Sequence, residues 1–366
     1  MEGPPDGKEG DKVKITIDRA ALLSVATQCA AVANVRASIP VLGNVCLLVA
    51  ADGTLEGKAT DLYQGVRARV ACDVAEPGSC LANAKALKDL VSRLPDGAVT
   101  LSLDGSALAV EAGRSRYRLP TMPADDFPAM PEPSGDAVTL DGDLLASVLD
   151  AVMCAASNDD TRPHLAGVLL EIEATTLRAV ATDGHRLHLV QRAIEARELP
   201  SMLVPRKAVS TLRRLCTSDV TIATDRRSLF ATAGGVELSA KLAEEVFPPY
   251  AKVIPQKHAH ELHVDRDALR DALKRLGCVS GSHHGVRLVL SEGKVTLASE
   301  DPDVGEGVEE IDCDATGALT ISANARYLLD ALGGADETAT LSMLSKHDPI
   351  TITGDGYVAV VMPLRT

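Results

Sequence analysis

The sequence predicts an α+β protein made of three repeated domains, each a doubled unit of strand, helix and hairpin. Two observations support this fold class. Four sequence elements recur three times in the same order along the 366 residues. Within each copy the apolar residues first alternate, as in half-buried strands, and then adopt helical spacing. Helices segregated to one face of mostly antiparallel sheet give an α+β layout.

The first element of each repeat is a strand that leads into a helix. Each copy alternates apolar and polar residues and then reaches an aspartate that can accept hydrogen bonds from the first turn of a helix. The three aspartates are Asp18, Asp141 and Asp265. Helical spacing then continues to about residues 33, 157 and 280. We therefore expect a capped helix at the start of every repeat.

Hairpins and a second helix complete each repeat. The first hairpin starts at Gly43, Gly167 or Gly285, and Asp-Gly at residues 52–53 is a strong turn signal. A short strand and second helix follow at residues 80–94, 202–215 and 319–332. A further hairpin follows at residues 99–119, 220–242 and 339–362. Each half of a repeat thus has the order strand, helix, hairpin.

The repeats divide the chain into domains at residues 12–133, 134–258 and 259–366. Residues 1–11 are rich in glycine, proline and charge and lack the apolar core of a signal peptide, so we predict a disordered tail. No apolar run approaches the roughly 18 residues of a membrane span. The eight cysteines are scattered without a CxxC pair. This pattern predicts a cytoplasmic protein with reduced cysteines and no metal, cofactor or membrane partner.

The charge distribution bears on nucleic-acid binding. A net charge of -14 argues against it unless positive charge is segregated onto one surface. The predicted helices are net basic, because most helical acids fall at caps or in first turns. A surface lined by these helices could face phosphate without reading sequence. Solvated helix faces are the alternative interpretation, and aromatic residues, at 2%, are too few to favour stacking on single strands.

The repeats and several sequence motifs resemble the beta subunit of bacterial DNA polymerase III, the sliding clamp. The resemblance spans about residues 13–365. It rests on Ile39-Pro-Val-Leu-Gly-Asn44, Ala181-Thr-Asp-Gly-His-Arg-Leu187, Val204-Pro-Arg-Lys207, Phe247-Pro248 and Val360-Val-Met-Pro-Leu-Arg365. The resemblance implies a non-catalytic processivity factor. It implies a head-to-tail homodimeric ring of DNA-clamp domains, with helices lining the hole and sheets outside, around duplex DNA in the nucleoid.

The family also implies a pocket for linear peptides of the Gln-Leu-x-Leu-Phe kind. Its partners would be the DNA polymerase III alpha subunit, the clamp loader, other polymerases and repair proteins. Carried over by position, the pocket consists of Arg162, Leu165, Thr182, Gly184, His185, Arg186, Leu187, Pro248, Val253, Val360, Met362, Pro363 and Leu364. A mostly apolar, shallow cleft suits exchangeable peptide binding. The chain departs from the family at His164, which follows Pro163, and at His347 and Pro349.

Two further surfaces are expected. The DNA-facing candidates are Arg36, Lys85, Lys88, Arg206, Lys207, Lys252, Arg270 and Lys274. The contact between protomers, here called the seam, would join Arg114, Arg116, Tyr117 and Leu119 to Cys278, Val279, Glu306, Glu309 and Glu310. Opposite charges across the seam would set its register and orientation. Cys278 is smaller than the aliphatic residue frequent in the family and is expected to weaken the seam.

Other functions are less well supported by the residues. Asp183 and His185 resemble an acid–base pair, but a tight Asp-Gly turn rarely gives that geometry and no nucleophile motif accompanies it. His258, His260 and His263 have the residue types of a metal site without an obvious fourth ligand. A protein-binding repeat scaffold, or a specialised clamp copy with altered partner or inhibitor binding, would share the fold. Retention on circular but not linear DNA would separate a clamp from a scaffold.

Overall fold

The structure is a computed structural model that describes residues 13–34 and 36–365. The predicted tail at residues 1–11 lies outside this part of the chain. The chain forms two compact units, one of residues up to Asp143 with Ser210–Leu242, the other of Leu144–Val209 with Ala243–Thr366. Each is an antiparallel sheet structure with helices, as the α+β prediction requires.

The first unit contains one 13-stranded sheet. Its strands are β1 (Lys14–Asp18), β2 (Asn44–Ala50), β3 (Thr54–Thr60), β4 (Gln64–Ala71), β5 (Asp73–Glu76), β6 (Gly78–Asn83), β7 (Ala98–Asp104), β8 (Ala107–Ala112), β9 (Ser115–Met122), β10 (Asp136–Leu140), β15 (Val220–Thr224), β16 (Ser228–Ala233) and β17 (Val236–Lys241). The spatial order is β10-β15-β16-β17-β4-β3-β2-β6-β9-β8-β7-β1-β5. Helices α1 (Arg19–Val32) and α2 (Ala84–Val91) pack against it.

The second unit contains a nine-stranded and a four-stranded sheet. Its strands are β11 (Gly167–Ile172), β12 (Thr176–Thr182), β13 (Arg186–Ala193), β14 (Leu199–Pro205), β18 (His260–Asp265), β19 (Gly285–Ser291), β20 (Lys294–Asp301), β21 (Gly305–Asp312), β22 (Asp314–Thr316), β23 (Leu319–Asn324), β24 (Thr338–Met343), β25 (Ile350–Gly354) and β26 (Tyr357–Val361). The orders are β14-β11-β12-β13-β26-β25-β24-β18-β22 and β21-β20-β19-β23. Helices α5 (Arg266–Leu276) and α6 (Ala325–Ala331) belong to this unit, while the chain passes between units within α3 (Gly142–Met153) and α4 (Arg206–Leu215).

The predicted helix caps are present where the structure gives their hydrogen bonds. Asp18 accepts a hydrogen bond from the backbone N–H of Ala20 at 2.7 Å, and Asp265 accepts one from Ala268 at 2.7 Å. Asn83 and Asn324 cap α2 and α6 in the same way, which the sequence analysis did not predict. The first helices end earlier than predicted, at Val32, Met153 and Leu276, because the chain leaves helical geometry in short turns.

Every predicted hairpin continues into a third strand. The first hairpin β2–β3 extends into β4, and β11–β12 and β19–β20 extend into β13 and β21. The second hairpins become β7–β8–β9, β15–β16–β17 and β24–β25–β26. The additional connection before β4 and β13 is a Thr-Asp turn held by side chains, a weaker sequence signal than Asp-Gly.

Strand pairing also joins neighbouring repeats. The last strand of the second repeat, β17, pairs with the third strand of the first repeat, β4. The last strand of the third repeat, β26, pairs with the equivalent strand of the second repeat, β13. Within the described chain, the remaining equivalents, β9 and β21, are not joined in this way: residues 115–120 of β9 pair only with β8, and β21 pairs only with β20.

Candidate functional site

A tight turn between β12 and β13 forms one wall of a cavity. The hydroxyl of Thr182 donates to the carbonyl of Arg186 at 2.6 Å and accepts from the N–H of Gly184 at 3.2 Å. Asp183 Oδ1 accepts from the backbone N–H groups of His185 and Arg186 at 2.9 and 3.0 Å. Gly184 has a φ of 91°, a left-handed conformation that glycine adopts at least cost. Four side-chain-to-backbone hydrogen bonds therefore hold the turn in this conformation.

The cavity has a volume of about 230 Å³. It lies between this turn, the loop before β11, the loop after β17 and the end of β26. Its lining residues are His164, Leu165, Thr182, Gly184, Arg186, Leu187, Pro248, Tyr250, Val253, Val360 and Met362. Most of these side chains are apolar, so we call this cavity the pocket and consider it suited to apolar side chains of a ligand.

A buried apolar cluster supports the floor of the pocket. Leu187 and Val360, adjacent on paired strands, pack with the buried side chains of Val180, Leu203 and Phe247. The ring of Phe247 meets the ring of Tyr250 edge to face at 6.3 Å. By contrast, Val253 and Met362 at the rim are 46% and 40% exposed. The floor is thus fixed by packing, while the rim presents exposed apolar surface.

Arg186 is held by protein groups on several sides. Its guanidinium donates to Asp183 Oδ2 at 3.1 Å, to Asp330 on α6 and to the carbonyl of Cys154 after α3, and it lies 4.4 Å from the ring centre of Tyr327. Burial would lower the pKa of this guanidinium, but the hydrogen bond and charge of Asp330 raise it above its ordinary value. Arg186 therefore positions the pocket wall and ties it to two helices.

A buried polar group lies beneath the same wall. The Nδ1 atom of His188 is 3.1 Å from the carbonyl oxygen of Ala151, 3.1 Å from the hydroxyl of Tyr357 and 3.4 Å from the sulfur of Cys154. Burial lowers the pKa of the His188 imidazole to about 4 and raises the pKa of the Cys154 thiol to about 11. Both groups are therefore neutral near pH 7, and because Cys154 stays a thiol it is not a nucleophile at that pH.

The structure brings nine of the thirteen predicted pocket residues together in this cavity. Arg162 and His185 lie outside its lining: Arg162 donates to Asp159 at 2.8 Å and to the carbonyl of Asp183 at 3.3 Å, and the backbone of His185 pairs with Met362. Pro363 and Leu364 line a second cavity instead. Two lining residues were not predicted as pocket residues. His164 was noted only as a departure, and Tyr250 follows Pro248 closely enough for that motif to have indicated it.

The second cavity, here called the cleft, has a volume of about 950 Å³ and shares Met362 with the pocket. It lies on the four-stranded sheet beside the C-terminal segment. Its lining residues are Gly285, Val286, Arg287, Ala298, Ser299, Glu300, Glu306, Gly307, Val308, Thr320, Ile321, Ser322, Lys346, His347, Met362, Pro363, Leu364 and Arg365. The cleft is more polar and more charged than the pocket.

The predicted seam residues occupy exposed strand edges in their respective units. Arg116, Tyr117 and Leu119 lie on β9, with Arg114 in the turn before it. Glu306, Glu309 and Glu310 lie on β21. Val279 packs against Gly307 of the same strand, so closely that a Cβ atom added to Gly307 would lie 3.1 Å from Val279 Cγ2. Cys278, beside Val279, is exposed.

The charges of the seam are partly used within the chain. Glu309 accepts two hydrogen bonds of 2.6 Å from Arg275, and Glu310 pairs with Lys294 at 2.7 Å. Among the predicted seam acids, Glu306 alone has no ion pair within residues 13–34 and 36–365. Two exposed apolar residues, Val304 and Val308, were not predicted and are 54% and 67% exposed. The edge of β21 therefore offers apolar surface as well as charge.

The predicted DNA-facing residues lie on or beside helices. Lys85 and Lys88 are on α2, Arg206 and Lys207 begin α4, Arg270 and Lys274 are on α5, Lys252 ends a short 3₁₀ turn, and Arg36 is in an exposed loop. Lys85 pairs with Asp89 at 2.6 Å and Lys274 with Asp271 at 2.9 Å. Helical acids thus offset part of the basic charge of these helices.

The alternative sites gain no support from the geometry. The carboxylate oxygens of Asp183 accept hydrogen bonds from the backbone of the turn and from the Arg186 side chain, so Asp183 does not orient the His185 ring. In the part of the chain described, no group of three His, Cys, Asp or Glu side chains is arranged to hold a metal. None of the described helices is long and apolar enough to cross a membrane.

Three family models match the chain in succession. They describe the N-terminal, central and C-terminal domains of the DNA polymerase III beta subunit, over residues 13–131, 139–249 and 251–365. The chain belongs to the DNA polymerase III beta subunit family. It has the three-domain clamp fold and the function of that family, a DNA sliding clamp in DNA replication, and it is a processivity subunit without catalytic activity.

Relatives and solved structures agree with this membership. The beta sliding clamp of Pseudomonas putida is 36% identical, covering 96% of this chain and 99% of the relative, and that of Escherichia coli K12 is 32% identical over 96% of this chain. The structure of the Pseudomonas aeruginosa DnaN sliding clamp bound to griselimycin matches with a TM-score of 0.91 at 34% identity, covering 97% of this chain and 100% of that one. The Caulobacter crescentus clamp, with PEG at its putative beta-motif tethering region, matches with a TM-score of 0.92 at 34% identity, covering 98% and 100%.

Proposed function

We propose that the chain encircles duplex DNA as a head-to-tail homodimer and tethers replication proteins through the pocket. The partners are the DNA polymerase III alpha subunit, the clamp loader, and other polymerases and repair proteins that carry linear clamp-binding peptides. The compartment is the bacterial cytoplasm, at the nucleoid. One observation supports the ring. Strand β17 pairs with β4 and strand β26 pairs with β13, and within the described chain the equivalent strands β9 and β21 lack such a pairing between repeats.

The two pairings inside the chain supply a template for the seam. Val236, the first residue of β17 after its tight turn, pairs with Ala68 of β4. Tyr357, the first residue of β26, pairs with Val190 of β13. Ser115 holds the same position in β9. If β9 follows the template, Ser115 faces the third-repeat equivalent of Ala68 and Val190.

The equivalent position on β21 follows from the turn that precedes it. Each of these turns contains an aspartate, namely Asp61, Asp183 or Asp301. The residue before that aspartate pairs with the strand after the turn: Thr60 with Gly65 of β4, Thr182 with Leu187 of β13, and Glu300 with Glu306 of β21. The residues that pair in the two internal contacts lie three positions further along β4 and β13. Three positions after Glu306 is Glu309. The template therefore predicts antiparallel pairing of Ser115 with Glu309.

This register gives a chemically consistent seam. Arg118, which also pairs with Asp104 at 2.5 Å within the chain, falls opposite Glu306, the predicted seam acid without an internal ion pair among described residues. Arg116 falls opposite the exposed Val308. Backbone hydrogen bonds between two exposed edges give affinity, and the charged pair favours one register. Pairing β9 of one protomer with β21 of its partner leaves the reverse pair to form the second seam, which closes a two-fold ring.

The pocket supports the tethering part of the proposal. Its floor is a fixed apolar surface and its rim carries exposed Val253 and Met362. An apolar pair such as Leu-Phe in a linear peptide can fill about 230 Å³ without rearranging the floor. Met362 adapts to different side chains, which suits a site shared by several proteins.

Contact with DNA is proposed through the basic residues of the helices. Lys85 and Lys274 have side chains that are 67% and 58% exposed, so the charges remain accessible to phosphate. Arg36, Lys88, Arg206, Lys207, Lys252 and Arg270 complete the proposed set. Phosphate contacts are independent of sequence and weaken as salt rises. Salt-sensitive retention on circular duplex DNA, lost when the circle is cut, tests encirclement.

The first experiment is size-exclusion chromatography with light scattering over a dilution series. We expect a mass near twice 38.3 kDa that persists on dilution. In the variant Val308→Arg, the new positive charge would face Arg116 and repel it. We expect the dimer dissociation constant to rise at least about tenfold. The matched control is Val246→Arg, because Val246 is 89% exposed and outside the seam. A monomeric native chain, or a Val308→Arg variant that behaves like the control, contradicts the proposal.

A further inference from the structure

We propose that the cleft binds an acidic segment flanking the peptide core that occupies the pocket. The inference rests on the proposed function, because it extends the same peptide site. It adds a second binding surface and a charge preference for the partner. The observations that carry it are the shape of the four-stranded sheet, the charges on its face and the continuity of the cleft with the pocket.

The cleft exists because small residues surround one long side chain on the sheet face. Arg287 of β19 has Ser322 of β23 on one side and Ala298 of β20 on the other. Ala298 in turn pairs with Val308 of β21. The neighbouring residue on the same face of β19, two positions before Arg287, is Gly285. The short side chains leave a depression in which the exposed Arg287 guanidinium is accessible from solvent.

The C-terminal segment joins the cleft to the pocket. The N–H of Leu364 donates to the carbonyl of Ser322 at 2.8 Å, which holds the segment along β23. Met362, two residues earlier, lines both cavities. The two cavities therefore adjoin at Met362, so an extended peptide that leaves the pocket past this residue reaches the cleft next.

The charges at this end of the cleft are positive. Arg287, Lys346 and Arg365 line it, and none of the three has an ion pair with another described residue. All three side chains belong to exposed residues. Three unpaired cations around a depression favour an anionic ligand. An acidic peptide flank meets this requirement and is already delivered to the cleft by the core in the pocket.

The acidic side of the cleft limits how far this preference extends. Glu300 and Glu306 are neighbours across β20 and β21, at the edge that the proposed seam would occupy. The flank should therefore be acidic over the two or three residues next to the core. A tethered flank binds at high effective concentration, so even weak ion pairs add measurable affinity.

The test compares fluorescent peptides by anisotropy on the full chain at low and moderate salt. The first peptide carries only a Gln-Leu-x-Leu-Phe core. The others add three glutamates or three lysines at its N-terminal end or at its C-terminal end. We expect one glutamate peptide to bind about three- to tenfold tighter than the core, with the gain shrinking as salt rises. The matching lysine peptide should show no gain.

Two protein variants locate the effect. Arg287→Glu should abolish the gain from glutamates while the core peptide binds as before, and that unchanged binding also reports an intact fold. Lys257→Glu makes the same charge change at an exposed residue outside both cavities and should retain the gain.

The outcomes separate this inference from the proposed function. Failure of the core peptide to bind the native chain contradicts the proposed function itself. Core binding with no gain from glutamates at either end overturns only the acidic-flank proposal. An equal loss of the gain in Arg287→Glu and Lys257→Glu also overturns it, because the effect would then come from overall charge rather than from the cleft.

Discussion

The turn between β3 and β4 and the turn between β12 and β13 have the same side-chain-to-backbone hydrogen bonds but different surroundings. In the first, Thr60 donates to the carbonyl of Gln64 at 2.8 Å, and Asp61 accepts from the N–H groups of Tyr63 and Gln64 at 3.0 and 2.8 Å. Thr182 and Asp183 make the equivalent bonds in the second. The left-handed position is Leu62 in the first turn and Gly184 in the second.

The difference lies in what the turns face. Around the second turn, the floor of Leu187 and Val360 and the rim of Val253 and Met362 form the pocket. In the first turn Tyr63 is 74% exposed, with Lys241 5.7 Å from its ring centre. The repeat thus supplies a hydrogen-bonded turn more than once, and the residues brought beside it by other elements determine whether it borders a cavity.

The largest expected effect is the pH dependence of stability that comes from His188, the buried imidazole beneath the pocket turn. His188 stands where the first repeat has Val66, and both are fully buried. Because the folded pKa of His188 is about 4 and the unfolded value is near 6.5, the unfolded chain binds an extra proton between these pH values. His188 should therefore contribute a loss of about 3 kcal/mol in the free energy of unfolding as pH falls from 6.5 to 4.

Urea unfolding at several pH values between 7 and 4.5 measures this loss. In His188→Gln, which cannot take up the proton, the free energy of unfolding should depend less steeply on pH. The difference in stability between the native chain and this variant should shrink as pH falls. Two parallel pH curves would show that His188 does not couple protonation to folding.

The next effect is on peptide binding at the rim of the pocket. Val253→Asp places a charge on an apolar wall, and we expect the affinity for a Gln-Leu-x-Leu-Phe peptide to fall by about thirtyfold or more. Leu62→Asp is the matched control, because Leu62 is 43% exposed and Val253 is 46% exposed. Anisotropy titration measures both. Equal affinities in the two variants would mean that the peptide does not use the pocket.

A smaller effect comes from removing the carboxylate of either turn. Asp183→Ala and Asp61→Ala each leave two backbone N–H groups without their acceptor, which should cost about 1–2 kcal/mol of stability. Asp183→Ala also frees one side of Arg186, so it alone should weaken peptide binding several-fold. Denaturation and anisotropy on the same samples separate the two effects. Weaker peptide binding in Asp61→Ala would remove the distinction between the turns.

The smallest effect concerns the left-handed residue. Gly184→Ala introduces a Cβ at a φ of 91° and should cost about 1 kcal/mol. Leu62→Asn replaces a residue strained at a φ of 75° by one that tolerates this conformation, with an expected gain of about 0.5 kcal/mol. Thermal unfolding gives both values. A stabilising Gly184→Ala would show that the pocket turn relaxes more easily than its geometry indicates.

Much of the fold could be predicted because its signals are local. Asp18 and Asp265 cap helices where the apolar pattern changes, and the Asp-Gly at residues 52–53 lies in the connection between β2 and β3. The third strand after the first hairpins was missed, because the turns before β4 and β13 depend on threonine and aspartate side chains. Family resemblance, more than any local pattern, indicated Leu187, Val360 and the other residues now found around the pocket.

The missed features depend on contacts between distant residues. Arg186 and Asp330 are 144 positions apart, and no local pattern links them. Glu309 and Glu310 were predicted to lie at the seam, and the sequence did not indicate that Arg275 and Lys294 form ion pairs with them within the chain. Sequence identifies which residues carry charge, whereas packing decides which charges remain available.

The unlike edges of β9 and β21 have a consequence for assembly. Under the proposed pairing each edge binds the other and not itself, so copies of the chain would add in one direction only. Two copies that bend enough to close consume every such edge, and growth stops. Copies that bend too little would keep one edge of each kind at their ends and continue to add protomers as a filament. The curvature of the protomer therefore decides whether the same strand pairing yields a finite ring or a fibre.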